Sequence, residues 1–170
     1  MNGLMGCIGY LAVTGILSFL IGRAVPKKWF DWESSLFQTR PFEQDGRYYD
    51  RFYIRKWKDS APDMNKILPA LIPGRAPKSI HSSRAEVEGL LRETCVAELT
   101  HAMLILSGAA LLWLWPGVGG IAVYAVYVLL GNVPFIMIQR YNRPRFARLL
   151  EAAKARERRK MNAGSDTVEQ

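Results

Sequence analysis

Glu98 and His101 stand three residues apart, a spacing that places both on one face of a helix. Thr94 falls on the same stripe. A carboxylate beside an imidazole suits general base catalysis: Glu98 would fix the ring's tautomer while the far nitrogen of His101 takes a proton. The bland alternative is a boundary Glu whose charge reaches the interface and a His bonded to a neighbouring helix. Both readings stand on the residues alone. Glu-x-x-His is also half of a di-metal site in helical bundles, but that site needs a second copy and further Glu. One copy is present, so no metal and no cofactor is expected. A second concentration of chemistry is the run Gln139-Arg140-Tyr141-Asn142-Arg143-Pro144-Arg145. Guanidinium binds phosphate and carboxylate bidentately; the ordinary explanation is a basic flank on anionic lipid. Asn132 is polar within an apolar run, seven residues before Gln139 and on the same helical face. Its ordinary role is helix–helix hydrogen bonding, worth about 0.6 kcal/mol in membranes. Pro134 should loosen the helix by removing the bond to residue 130.

The elements that must position these groups follow from the distribution of charge. The chain has 170 residues, 23 basic and 15 acidic side chains and a net charge of +8. Residues 1–22 and 99–139 carry none of them. A bilayer span needs about 20 mostly apolar residues as helix. Residues 3–22 supply one span. Residues 99–115 and 121–138 supply a hairpin of two more, turned at Pro116-Gly117-Val118-Gly119-Gly120. Trp113 and Trp115 lie at its tip, where interfacial aromatics belong. The first segment lacks a basic leader and a small-residue cleavage site, so an uncleaved helix is expected despite a lipoprotein-like Leu4-Met5-Gly6-Cys7. Cys7 and Cys95 read as buried thiols.

Lys and Arg set the orientation. Fourteen lie between Arg23 and Arg92 and nine between Arg140 and Lys160, with none before the first span or in the 116–120 turn. The expectation is an all-α integral membrane protein of the cell membrane, a single domain over 1–170. The N-terminus is outside; the 23–98 segment and a basic helix over 139–160 are cytoplasmic; 161–170 is a frayed tail. The basic excess is therefore topology, not nucleic-acid affinity.

The cytoplasmic segment is rich in aromatics. Tyr49, Phe52, Tyr53 and Trp57 recur at helical spacing, with Arg47, Arg51, Arg55 and Lys58 elsewhere on the turn. This predicts an amphipathic helix over 47–58 lying at the interface. Prolines at 62, 69, 73 and 77 make 61–78 an irregular linker. Ser83-x-x-Glu86 is a capping box, opening a helix expected to run unbroken from Arg84 into the second span.

Four blocks together resemble the glycosyl-4,4'-diaponeurosporenoate acyltransferase family of staphyloxanthin-type carotenoid synthesis. They are Arg55-Lys56-Trp57-Lys58, Ala97-Glu98-Leu99-Thr100-His101, Asn132-Val133-Pro134 and the 139–145 run. The resemblance spans roughly residues 25–155. It implies a membrane enzyme moving a fatty acyl group onto a sugar hydroxyl of a glycosylated carotenoid acid. On that reading His101 is the general base and Glu98 fixes its tautomer. Asn132, Gln139 or Arg140 would donate to the carbonyl oxygen as charge develops. Arg55, Lys56, Arg143 and Arg145 would hold the phosphates of an acyl-CoA or acyl carrier protein. Trp57, Tyr141 and Asn142 would face the lipid acceptor. The alternative is a non-catalytic membrane protein that binds anionic lipid or scaffolds a pathway. Three spans are few to enclose a lipid, which leaves room for a homodimer.

Overall fold

The computed structural model of the chain describes residues 3–61 and 83–166. Every regular element among them is helical. The Pro-rich stretch after Ala61 lies outside the described residues, as do 167–170. Helix α1 is Gly3–Ala24; Arg23 in its last turn is its one charge. Its flank is open: Met5, Val13, Ile16 and Ile21 are each more than half exposed. A 22-residue apolar helix with that much free side chain is solvated by lipid. Three helical stretches are long and apolar enough to cross a bilayer: Gly3–Ala24, Arg84–Leu114 and Val118–Arg159.

Between α1 and the next long helix the chain makes short turns, not the single amphipathic helix expected over 47–58. A 3-10 stretch covers Pro41–Phe52, interrupted by left-handed Gln44, Asp45 and Gly46 (φ 47°, 55° and 88°). Tyr53 is left-handed as well, at φ 53°, and a single turn, α2 (Ile54–Trp57), follows. The expected apolar face is thereby split. Tyr49 and Ile54 turn inward and bury against Tyr141, while Phe52 and Tyr53 stay exposed. Gly46 is required on two counts. Its φ is positive, and a Cβ there would meet Arg145 Nη1 at 3.0 Å and the Tyr141 carbonyl at 3.1 Å.

Helix α3 (Arg84–Gly108) starts at Ser83, whose hydroxyl accepts from the Glu86 N–H at 3.4 Å and donates to the Glu86 carboxylate at 2.9 Å. At 1.5 Å per residue it is about 38 Å long, more than the hydrocarbon core. One further turn, α4 (Leu111–Leu114), carries it to the tip. Gly117 turns the chain at φ 98°, where only glycine is unstrained. Trp113 is exposed, but Trp115 is half-buried and lies across Gly3 and Gly119. A Cβ on Gly3 would come within 2.6 Å of the Trp115 ring, so small residues let the hairpin tip meet the start of α1.

The return path is α5 (Val118–Leu129) and α6 (Val133–Asp166). The bonds from Gly131 and Asn132 N–H to the Tyr127 and Val128 carbonyls still follow the helical pattern. Pro134 has no N–H for the Leu130 carbonyl, and the ladder resumes with Ile136 donating to Asn132. Helix α6 then runs through Pro144 to Asp166, so span and basic helix are one element and reach past the expected end at Lys160. Helices α3 and α6 make the most extensive pairing in the fold. At the end away from the hairpin tip Val87 and Leu91 pack on Leu150, with Trp32 and Phe146 closing the cluster. Cys7 and Cys95 are buried free thiols.

Candidate active site

Helices α3 and α6 run antiparallel, so their polar residues meet in rungs. His101 meets Asn132 and Phe135, Glu98 meets Arg140, and Thr94 meets Arg143. The steps of three and four along α3 match those along α6, because both are helices of the same rise.

The lower rungs form a closed charge network. Arg140 Nε donates to Glu98 Oε1 at 2.7 Å, and its Nη1 donates to both Glu43 oxygens at 3.0 and 2.9 Å. Arg143 Nη2 donates to Glu98 Oε2 at 2.5 Å. The rest of Arg143 is taken up by the Thr94 hydroxyl at 3.0 Å and the Phe37 carbonyl at 2.8 Å. Two carboxylates and two guanidiniums sum to zero, which is what a set this buried requires: Glu43 is 1% exposed, Glu98 8% and Arg143 5%. Glu43 also accepts from the Tyr49 hydroxyl and from the Arg40 N–H. Burial alone would raise the Glu43 pKa, but the bonds from Tyr49, the Arg40 N–H and Arg140 outweigh it and hold it below the ordinary carboxylate value. Burial, and then the bond to Glu43, push the Tyr49 phenol far above its ordinary value.

One rung higher the bonding is sparse. His101 Nδ1 lies 3.0 Å from Asn132 Oδ1, and the Asn132 amide nitrogen donates to the Tyr127 carbonyl at 2.9 Å. That second bond fixes the amide. With its nitrogen committed to Tyr127, Asn132 offers oxygen to the ring, so Nδ1 carries the proton and Nε2 keeps its lone pair. The imidazole stacks on Phe135 at 4.8 Å between centroids and 8° between planes. Asn132 is 1% exposed. The orienting group of His101 is thus Asn132, not Glu98.

The structure distributes the other expected residues unevenly. Arg140 is consumed by carboxylates and by the Leu36 carbonyl at 3.3 Å. Arg143 is buried and bonded within the protein, away from any phosphate. Gln139 lies one helical turn beyond Phe135, about 6 Å along α6 on the face that meets His101, and no described residue takes its amide. Arg55 pairs with Asp50, and Lys56 lies over the Tyr53 ring. Trp57 donates to the Phe52 carbonyl at 2.9 Å and packs with Tyr141; Asn142 is half-buried on α6. Glu43, Tyr49 and Phe135 were missed by sequence reasoning. Charge counting held the signal for Glu43: two Arg at the exit of a span against one Glu98 call for a second carboxylate. Among the described residues no group of His, Cys, Asp and Glu stands where it could hold a metal ion. Above the site an open apolar groove of about 550 Å³ follows α5, lined by Leu11, Val123, Val126, Tyr127 and Leu130 and ending at Gly131 beside Asn132.

A family model described as glycosyl-4,4'-diaponeurosporenoate acyltransferase matches residues 26–152, which contain every rung. The chain belongs to the glycosyl-4,4'-diaponeurosporenoate acyltransferase family. Proteins of that name from Staphylococcus aureus are similar over nearly the whole length. The one from strain bovine RF122 / ET3-1 is 32% identical over 157 residues, covering 88% of this chain and 89% of its own. That from strain N315 is 31% identical over the same shares, and that from strain MRSA252 is 32% identical over 151 residues. No solved structure matches. As a member of this family the chain is an acyltransferase.

Proposed function

We propose that this chain transfers a fatty acyl group to a sugar hydroxyl of a glycosylated carotenoid acid, at the cytoplasmic face of the cell membrane, with His101 as general base. The observation that carries it is the Asn132–His101 bond, which leaves Nε2 as the acceptor. The relatives' shared name supports the acceptor class. In the reaction the hydroxyl oxygen attacks the carbonyl carbon of an acyl thioester and its proton passes to His101 Nε2. The carbonyl oxygen takes the negative charge, and the amide of Gln139 is its donor in this reading. The intermediate collapses with rupture of the C–S bond. The leaving sulfur takes the proton from Nε2, and the neutral imidazole returns. Net charge is unchanged across the cycle, which suits a base set at the edge of hydrocarbon.

The charge network frames this step without joining it. It ties the 30–53 segment under the α3–α6 pair, so in this reading the reacting carbonyl enters above a closed floor of zero net charge. The lysines and arginines all lie on one side of the three spans, which supports an outside N-terminus and a cytoplasmic C-terminus. The test is acyl transfer to a glycosylated carotenoid acid by the purified protein in nanodiscs, read by lipid mass spectrometry. His101→Ala should lower kcat by about 10²–10⁴-fold with insertion and melting unchanged. A fully active, correctly inserted His101→Ala protein would sink the assignment.

A further inference from the structure

Outside the closed network, Arg55 and Arg145 meet at Tyr141, and Arg148 stands within electrostatic reach of Arg145. Arg145 lies over the Tyr141 ring at 3.4 Å and its Nη1 donates to the Tyr141 carbonyl. Arg55, from the other side of the interface segment, spends Nε and Nη2 on Asp50 at 3.0 Å each and borders the Tyr141 hydroxyl. Arg148 follows Arg145 by one turn, is exposed, and has no carboxylate partner among the described residues. Asp50 is the acidic side chain bonded into the group, so three guanidiniums face one carboxylate. Stacking and the carbonyl bond hold Arg145 in place, leaving Nε and Nη2 for a ligand. Three guanidiniums against one carboxylate leave a net charge of +2, a preorganised site for a phosphate oxyanion.

Its position selects the anion. From Phe135, on which His101 stacks, to Arg145 the helix axis rises about 15 Å, with about a quarter-turn round α6 between them. A phosphate at the three arginines is therefore separated from His101 by about the reach of an extended phosphopantetheine arm. The flank between them is apolar, made by Met137, Ile138 and Trp57. We propose that Arg55, Arg145 and Arg148 bind the phosphate of a phosphopantetheine-bearing acyl donor, whose thioester then lies at His101. This rests on the reading of His101 as the reacting centre. Coenzyme A and an acyl carrier protein share this phosphate, and the lipid headgroup is the competing source.

The test uses the full chain in phosphatidylcholine nanodiscs. Calorimetric titration with coenzyme A should show binding that Arg148→Ala and Arg55→Ala each weaken about tenfold. Asp50→Asn should tighten it by removing the competing carboxylate, an effect that a merely structural role would not produce. In turnover, Arg148→Ala should raise the KM for an acyl-CoA about tenfold at unchanged kcat. With an acyl-pantetheine lacking the phosphate, wild type and variant should be equal. Competition by acyl carrier protein that also needs Arg148 would name it as the source. Coenzyme A binding indifferent to all three arginines overturns the proposal. So does a variant whose defect is confined to association with phosphatidylglycerol. The binding arm does not depend on catalysis. An Arg-dependent titration beside a fully active His101→Ala protein would leave this site standing and remove the proposed function; an Arg-independent titration beside an inactive His101→Ala protein would do the reverse.

Discussion

The stripe on α3 has two ends, and they are bonded in opposite ways. At Thr94 and Glu98 the side-chain acceptors are taken up, and the facing guanidiniums of Arg140 and Arg143 are shared among Glu43, Glu98 and backbone carbonyls. At His101 one ring nitrogen is fixed by Asn132 and the other keeps its lone pair. The first end is rich in charge and has nothing left to give a substrate. The second is uncharged and has one group in reserve. Reactivity lies where bonding capacity remains, and the number of ionisable residues is a poor guide to it.

The largest effect expected from breaking this contrast is at the saturated end. Glu98→Gln leaves two buried guanidiniums facing one carboxylate and should cost about 3–5 kcal/mol of stability, read as a lowered unfolding midpoint in detergent. An unchanged midpoint would show that the network is not the fold's clamp. At the sparse end, Asn132→Ala should leave the fold nearly intact. It should lower kcat about tenfold or more, because the ring loses its fixed tautomer, while the Tyr127 carbonyl keeps the bond from Gly131 N–H. If stability fell and kcat did not, the two ends would have exchanged roles.

Acid provides a finer test. Glu43 titrates below its ordinary value in the folded protein, so its contribution is complete above the unfolded pKa of about 4.3. That contribution is lost as pH falls through the lower, folded value. Tyr49→Phe removes one of the bonds that hold Glu43 down and should move the acid unfolding midpoint toward neutral pH. The cost at neutral pH should be about 1.5–3 kcal/mol, as for a bond to a charged group. Tyr49 itself works in the other sense: its raised pKa gives a contribution present below about pH 10 and lost on further alkalinisation. The smallest effect should be at the α3 cap, where Ser83→Ala should cost about 1 kcal/mol and leave both ends of the stripe untouched.

The spans, the Ser83 start and the α3–α6 approach were legible because they rest on local signals: uncharged runs, a capping pair and three-four spacing. The 47–58 segment was misread for a definite reason. Its period matched a helix, but Tyr53 within it, and Gln44 and Asp45 just before it, adopt left-handed backbone, which no periodicity announces and which costs about 1–3 kcal/mol per residue. That cost is offset by Glu43 reaching Arg140 while Tyr49 donates to Glu43, a long-range gain invisible in a window of a dozen residues. The exchange of Glu98 for Asn132 as partner of His101 has the same origin. The catalytic reading took a near neighbour on one helix as the partner; the alternative, a His bonded to a neighbouring helix, names the bond that forms, to a residue 31 positions away.

The neutral sum of the four-member network also bears on biogenesis. Glu98 leaves the ribosome well before Arg140 and Arg143, and Glu43 before all three. Until α6 is made, α3 carries an uncompensated carboxylate at the mouth of the bilayer, where a lone charge is opposed by several kcal/mol. Helix α3 therefore cannot settle to its final depth by itself. We expect it to wait at the translocon until α6 arrives, so that the hairpin enters as one electrically silent unit. With α1 already anchored, a nascent Leu99→Cys chain stopped before residue 140 should stay open to an aqueous maleimide, and one continued past Arg143 should not.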